Sequence, residues 1–349
     1  MSSAHPAPPV TLQSVATRSG VSISTASRCL SGVVSVSHNT KLRVLAAAAE
    51  VGYQHNVLVN QVMRATRRGL NKNYLGTIAY VTPFDDKPEW KATLTLCKHW
   101  NAASAHAESF GFSLAEFSLS SQGMTGRRLG GILQARGISG ILLAAFPREP
   151  FPLSLPWDDF AIVPVGHRVN SPRLDCVVSD HTEAVLTAAR AIAARGYRRV
   201  GLAIDQYQDQ IINGRWSFGY AGVNAMVPDV TTLPPFLPKE MNRKEFLSWV
   251  EKHSVDCVFT LSTFRNQPNE MEKWLTEDGR RIPHDVGLVS LDLTTVNPDW
   301  AGIEQNSLEI GKAAVDMLFA KLRAGERGVP VFPRTLQVHG QWKHGRTIR

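Results

Sequence analysis

The stretch Val10–Gly69, VTLQSVATRSGVSISTASRCLSGVVSVSHNTKLRVLAAAAEVGYQHNVLVNQVMRATRRG, decides the fold. Thr11 stands as an N-cap ahead of Leu12, Val15 and Ala16, which share one face at helical spacing. Gly20 ends that helix and gives a tight turn. Ser22 caps a second helix, Ile23–Leu30. Ala26, Cys29 and Leu30 make its buried side, so Ile23, Ser24, Thr25, Ser27 and Arg28 face outward. A third helix starts at Ser37 or at Asn39–Thr40, runs through Leu42, Leu45, Ala48 and Ala49, and stops at Gly52. Two short helices joined by a glycine-containing turn form a helix-turn-helix, and its second helix is shaped to enter the DNA major groove.

Charge separates this stretch from the rest. Residues 1–73 carry eight Lys/Arg and one acid, Glu50, for a net +7 of the chain's +8. The remainder holds 30 basic and 29 acidic groups and is nearly neutral. A basic excess confined to one end is the footprint of a nucleic-acid partner. Residues 1–9, with three prolines, read as a disordered leader with no signal peptide. No apolar stretch approaches the ~20 residues that span a bilayer, so no membrane partner is expected and the protein is read as cytoplasmic and nucleoid-associated. The four cysteines, Cys29, Cys97, Cys176 and Cys257, stand apart in apolar contexts and read as buried free thiols.

From Val10 to Asn56 the sequence closely resembles the N-terminus of the lactose-repressor/galactose-repressor family of bacterial transcription regulators. The runs that carry the likeness are VTLQSVATRSGVSISTASRCLSG and the VS, T, RVLAAA, EVGY and N positions that follow. The resemblance implies a homodimer on double-stranded operator DNA, with Ile23, Ser24 and Arg28 facing base edges. Arg28 suits guanine O6/N7, a contact worth about 1–3 kcal/mol of discrimination. Ile23 touches a thymine methyl or packs. Ser22, Thr25, Asn39, Thr40, Tyr53 and Asn56 suit the DNA backbone, which positions without specifying. The helix-turn-helix domain then covers residues 10–55, and a hinge helix with linker covers 56–73. In relatives, paired hinge helices wedge a leucine into the minor groove and bend the DNA. That leucine's place is Val62 here, followed by Met63 where a basic residue is usual, so either side chain supplies the wedge.

Beyond Asn73, buried strand patterns alternate with amphipathic helical ones: Leu75–Val81, Ser113–Phe117, Gly140–Ala145 and Ala161–Val165, then Arg199–Ile204, Cys257–Leu261 and Val286–Leu291. Helical segments such as Leu94–Ser109 and Glu183–Arg195 lie between them. This predicts an α/β domain over 74–349 of two similar parallel-sheet subdomains. The same resemblance continues here as a periplasmic-binding-protein-like core, through CVVSDHTEAVLTAARAIAARGYRRVGLAI, IPHDVGLVSLD and AGIEQNSLEIGKAAVDMLFAKL. It implies an N-subdomain over about 74–178 and 302–328 and a C-subdomain over about 179–301 and 329–345. The chain then crosses near Val177–Asp180, Leu293–Ala301 and Val329–Phe332.

The same architecture places a small-molecule effector, a sugar or sugar derivative, in the cleft at the carboxyl ends of the strands. Ser262 and Thr263 stand where sugar-binding relatives carry Asn-Asp. Trp216, with Arg215 before it, replaces an arginine, while Asp292 is retained. Strand-end positions add Phe84, Trp90, Phe146, Arg148, His167 and Arg265. Asp180 reads as a helix cap rather than a ligand group. Trp249 and Trp274 read as packing. The eleven histidines show no metal-binding spacing, and no nucleophile elbow, P-loop or H-E-x-x-H is present. No cofactor, no metal and no enzyme activity are expected. Two other readings stay open: a binding protein whose DNA module is vestigial, and a regulator with no small-molecule effector.

Overall fold

The structure, a computed structural model, describes residues 11–30, 36–53, 74–82, 94–119, 124–144, 154–167, 169, 171–261, 263–264, 267–293 and 299–349, with residues 263, 264, 267 and 268 described as backbone only. The head consists of α1 (Leu12–Ser19), α2 (Ile23–Leu30) and α3 (His38–Glu50). Thr11 and Ser14 form a reciprocal capping box on α1, and Gly20 closes it with φ 64°. Ser37 is the cap that starts α3; its Oγ accepts the Thr40 N–H at 3.4 Å. The head core is Val15, Ala16, Ala26, Cys29, Val44, Ala47 and Ala48.

Leu42 and Leu45, through which α3 runs, are 53% and 44% exposed. The buried stripe runs through Val44, Ala47 and Ala48 at i, i+3, i+4 instead, because small side chains let three short helices approach closely.

The first sheet has the order β2-β1-β3-β4, all parallel: β1 (Gly76–Thr82), β2 (Phe112–Ser118), β3 (Gly140–Leu143) and β4 (Ala161–Pro164). Their fully apolar runs, such as Ile141–Leu143, are those of a sheet covered on both faces. Helices α4 (Leu94–Ser109) and α5 (Gly126–Ala135) follow β1 and β2. The second sheet has the order β14-β12-β11-β8-β6-β7. It is built from β6 (Arg199–Leu202), β7 (Thr231–Thr232), β8 (Cys257–Thr260), β11 (Gly287–Ser290), β12 (Ala301–Glu304) and β14 (Gln341–Lys343). All neighbours are parallel except β12 and β14. Its helices are α6 (His181–Ala193), α7 (Gln206–Gln210), α8 (Arg215–Met226), α9 (Arg243–His253) and α10 (Met271–Glu277). A short antiparallel pair joins β9 (Thr263–Phe264) and β10 (Gln267–Pro268). Helix α11 (Ser307–Ala324) returns to the first subdomain, where a Cβ on Gly311 would collide with the His99 carbonyl on α4.

Two crossings lie later than the sequence placed them. β12 pairs with β11, so residues 301–304 belong to the second sheet and the chain leaves it only at Gln305–Asn306. β13 (Thr335–Val338) runs parallel to β5 (Cys176–Ser179), which is tied to β4 by the Val165–Val177 bridge. Residues 329–338 therefore stay with the first subdomain, and the last crossing falls between β13 and β14. Beyond β14 the chain continues into the second core: Ile348 is buried there, and the Thr347 hydroxyl donates to the Leu288 carbonyl at 2.6 Å. Hydrophobic patterning marked the strands but carried no signal for which sheet each joins.

One ionic node fastens the crossing strands. Asp175, just before β5, is fully buried and accepts from Lys321 Nζ of α11 at 2.5 Å and from the Arg334 backbone N–H at 2.7 Å. Burial alone would raise its pKa; the Arg334 and Lys321 hydrogen bonds overcome that and hold it below the usual carboxylate range.

Candidate nucleic-acid interface and effector cleft

In the head, α2 packs its Ala26 and Cys29 side against α1 and α3, which leaves its opposite face exposed. Ile23 is 46% exposed, and Ser24 and Arg28 are exposed beside it. The Arg28 Nε–H donates to the Ser24 carbonyl at 3.3 Å, which draws the guanidinium along the helix. Ser22 Oγ accepts the Thr25 N–H at 3.2 Å and lies 3.0 Å from Ser24 Oγ and 2.9 Å from Thr25 Oγ1. The serine assigned to phosphate thus also caps α2. Asn39 is exposed in the first turn of α3, while Thr40 is half-buried with its hydroxyl 2.8 Å from Ser37 Oγ. Tyr53 packs partly against the head core, and burial raises its pKa. Glu50, the head's one acid, is paired with Arg18. Asn56, Val62 and Met63 lie outside the described residues.

The sequence places an effector cleft at the carboxyl ends of the strands. Strand register sets Val81, Leu143 and Pro164 level, so Thr82 and the Val165-Gly166-His167 turn emerge at one end of the first sheet. His167 Nδ1 lies 3.2 Å from the Val165 carbonyl, and burial takes its pKa down to about 4. His99, in the second turn of α4, is buried against Gly166. Burial, then the neighbouring His167 and Lys98, lower its pKa to about 4. In the second subdomain Asp292 follows β11; burial pushes its pKa up to about 6, with Lys98 of the first subdomain pulling the other way. Arg215 opens α8 and is half-buried.

Trp216 is not a lining residue. It is 3% exposed, lies in the second core, and packs edge-on to His181 with ring centroids 4.5 Å apart. Gly219, one turn later, brings α8 against Thr182 and Val185 of α6, and that close packing encloses the indole. Asp180 caps α6, its Oδ1 accepting the Glu183 N–H at 3.1 Å. Trp249 packs in the core with Nε1 donating to the Pro234 carbonyl at 2.9 Å, and Trp274 packs against the same cluster. Phe84, Trp90, Phe146, Arg148, Ser262 and Arg265 lie outside the described residues. Thr82, fully buried, and His99, 3% exposed, are buried polar residues that the sequence did not single out. Thr82 was accessible by the strand-end rule that chose Phe84. His99 sits within a helical pattern, where nothing in the sequence separates a buried polar residue from a surface one.

Residues 11–56 match the family described as bacterial regulatory proteins, lacI family, and residues 189–339 match a periplasmic binding protein-like domain. Over 361 aligned residues the chain is 30% identical to an uncharacterized HTH-type transcriptional regulator in the aml 5′ region of Streptomyces limosus, covering 96% of this chain and 95% of that protein. The chain belongs to the lacI family. It is 25% identical to the HTH-type transcriptional regulator CelR of Thermobifida fusca, over 92% of this chain and 94% of that one. Two solved lacI-family folds superimpose along nearly the whole chain. One is a CelR–cellobiose complex, with TM-score 0.58 and 20% identity, covering 97% of this chain and 100% of that one. The other is the lac repressor dimer bound to operator and the anti-inducer ONPF, with TM-score 0.54 and 17% identity, covering 98% and 100%. The chain is thus a DNA-binding transcriptional regulator with a ligand-binding domain, from a family of regulators rather than enzymes. Among the described residues no helix is long and apolar enough to cross a membrane.

Proposed function

We propose that this lacI-family chain is a homodimeric repressor that sits on a palindromic operator and is released or tightened by a small-molecule effector. The observation that carries this reading is the separate basic head presenting Ile23, Ser24 and Arg28 on the exposed side of α2. Arg28 reads a guanine and Ile23 a thymine methyl; Ser22, Thr25, Asn39, Thr40, Tyr53 and Asn56 contact the sugar-phosphate backbone. Val62 or Met63 of the hinge wedges the minor groove. A second copy would cover the apolar side of α8, where Phe218 and Met226 are 72% and 59% exposed. The effector, a sugar or sugar derivative like the cellobiose of the CelR complex, would bind between the subdomains at His167, Arg215 and Asp292. Binding biases subdomain orientation, and hence hinge spacing, by its differential affinity for the two arrangements.

Footprinting of the full-length protein on DNA upstream of its own coding region tests this reading, with light scattering for the oligomer. An inverted repeat protected by a dimer is expected. Protection of a single half-site by a monomer, or no protected site on any genomic fragment, rejects it.

A further inference from the structure

The three crossings between the subdomains are tied to one another around His339. On one side the sheet ladder makes the tie: β13 runs beside β5, and the Asp180 backbone N–H donates to the Val338 carbonyl at 3.0 Å. The Asp180 carboxylate that caps α6 also lies 3.7 Å from His339 Nδ1. On the other side the ladder stops. β12 and β14 pair through Gly302–Lys343, Ile303–Trp342 and Glu304–Gln341, and two steps further along that register stand Asn306 and His339. There the Asn306 backbone is left-handed, with φ 52° and ψ 42°, so it cannot extend the strand. Its side chain takes over: Nδ2 donates to the His339 carbonyl at 2.8 Å.

Two costs accompany that bond. An asparagine in this place ordinarily caps the helix that follows, and the Asn306 side chain makes no such bond to α11. A left-handed backbone is also unfavourable for a residue with a Cβ. Both are accepted for a single link between the second crossing and the third. Gly340, the next residue, packs so closely on Ile303 that a Cβ there would collide with it, which keeps the two crossings side by side. Domain rotation is absorbed by φ/ψ changes at a few such residues, and a side-chain bond can open there while both strands stay intact.

We propose that Asn306 is the positioning residue of this pivot: its amide clasps the second and third crossings and holds the two subdomains in one arrangement. When the clasp opens, the chain passes to a second arrangement. The clasp lies at the pivot on which the effector reading above relies, but it requires no effector.

Ala105→Cys on α4 and Lys252→Cys on α9 put spin labels on exposed sites of the two subdomains, in a Cys97→Ser background, with labelled chains diluted into excess unlabelled protein. Dipolar spectroscopy of the full-length protein is expected to give one main distance. Asn306→Gly keeps the left-handed backbone and loses the amide; Asn306→Asp keeps the shape and loses the donor. Both are expected to raise the weight of a second distance about fivefold, the equilibrium value of one lost hydrogen bond. Ser254→Gly relaxes another left-handed residue, the φ 47° cap of α9, and is expected to leave the distances unchanged. Hydrogen exchange within both sheets is expected to stay as in the natural protein. Natural distances in both Asn306 variants overturn the proposal. So does a second distance that Ser254→Gly also produces, or one that comes with lost protection in either sheet, since Asn306 would then be merely structural. No ligand enters this measurement, so a failure to find any effector would reject the effector reading and leave the clasp standing.

Discussion

In the head, the side chains that fix the helices find their partners close by: Ser14 with Thr11, Ser19 with the Val15 carbonyl at 2.6 Å, Thr25 with Ser22 and Thr40 with Ser37. In the effector core, Asp175 is answered by Lys321 and Arg334, 146 and 159 residues away. The head is a local structure whose exposed side is free to read DNA. The core is a non-local one, and the contacts that span its sequence hold the crossing strands between subdomains. Regulation needs this pairing: a small rigid reader, and a larger body with two packed halves whose relation a ligand can bias.

The sharpest way to break the comparison is Asp175→Ala. It leaves the Lys321 ammonium, 4% exposed, with only the Glu326 carboxylate 3.4 Å away, and losing one partner of a buried pair costs on the order of 3 kcal/mol. Thermal unfolding with hydrogen exchange is expected to show protection lost around β5, β13 and α11 while α1–α3 keep theirs. Equal loss in the head would mean that the two regions fold as one unit.

Acid should also act on the core. Burial holds His99 and His167 near pKa 4, below the ordinary 6.5, so the unfolded chain takes up protons first as pH falls. Their contribution to stability is fully present above about pH 6.5 and is lost as pH falls toward 4. Asp292, raised from 3.8 to about 6, works in the opposite sense: its neutral form favours the fold as pH drops through 6. Two histidines outweigh one carboxyl, so net destabilisation between pH 6 and 4 is expected, on the order of 2 kcal/mol per histidine. Melting temperature against pH should be flatter for His99→Leu than for the natural protein; parallel curves would contradict this.

A smaller effect sharpens the other side. Ser22→Ala removes the α2 cap and is expected to cost the head about 1 kcal/mol, seen as faster exchange in α2 with the core melt unchanged. Smaller still, Arg334→Ala removes an exposed guanidinium from Asp175 while Lys321 remains; a loss of about 1 kcal/mol or less in the core melt is expected.

The same contrast explains what the sequence made legible. Caps, turn glycines and a 3.6-residue repeat are local, so α1, α2 and α3 could be read within a few residues. The strand runs could be read because buried parallel strands are continuously apolar. Sheet membership of β12 and β13 could not, because it is set by pairing with β11 and β5 far along the chain. Leu42 and Leu45 are exposed while Val44, Ala47 and Ala48 fill the head core, a split that leucine content alone does not show. Trp216 was assigned to the cleft by its motif position, yet the close approach of α8 to α6 at Gly219 buries it. His99 illustrates the limit: a polar residue inside a helical pattern shows nothing of what surrounds it.

The most direct test of the regulator reading compares natural protein and Arg28→Ala on the protected upstream fragment and on unrelated duplex DNA across a salt series. The natural protein is expected to prefer the fragment by about 10³-fold or more at physiological salt. Arg28→Ala is expected to cut that ratio by about tenfold or more while changing the salt slope by about one ion or less, the mark of a lost base contact rather than a lost phosphate contact. An unchanged ratio, or equal affinity of the natural protein for both DNAs, would contradict a head that reads sequence through α2.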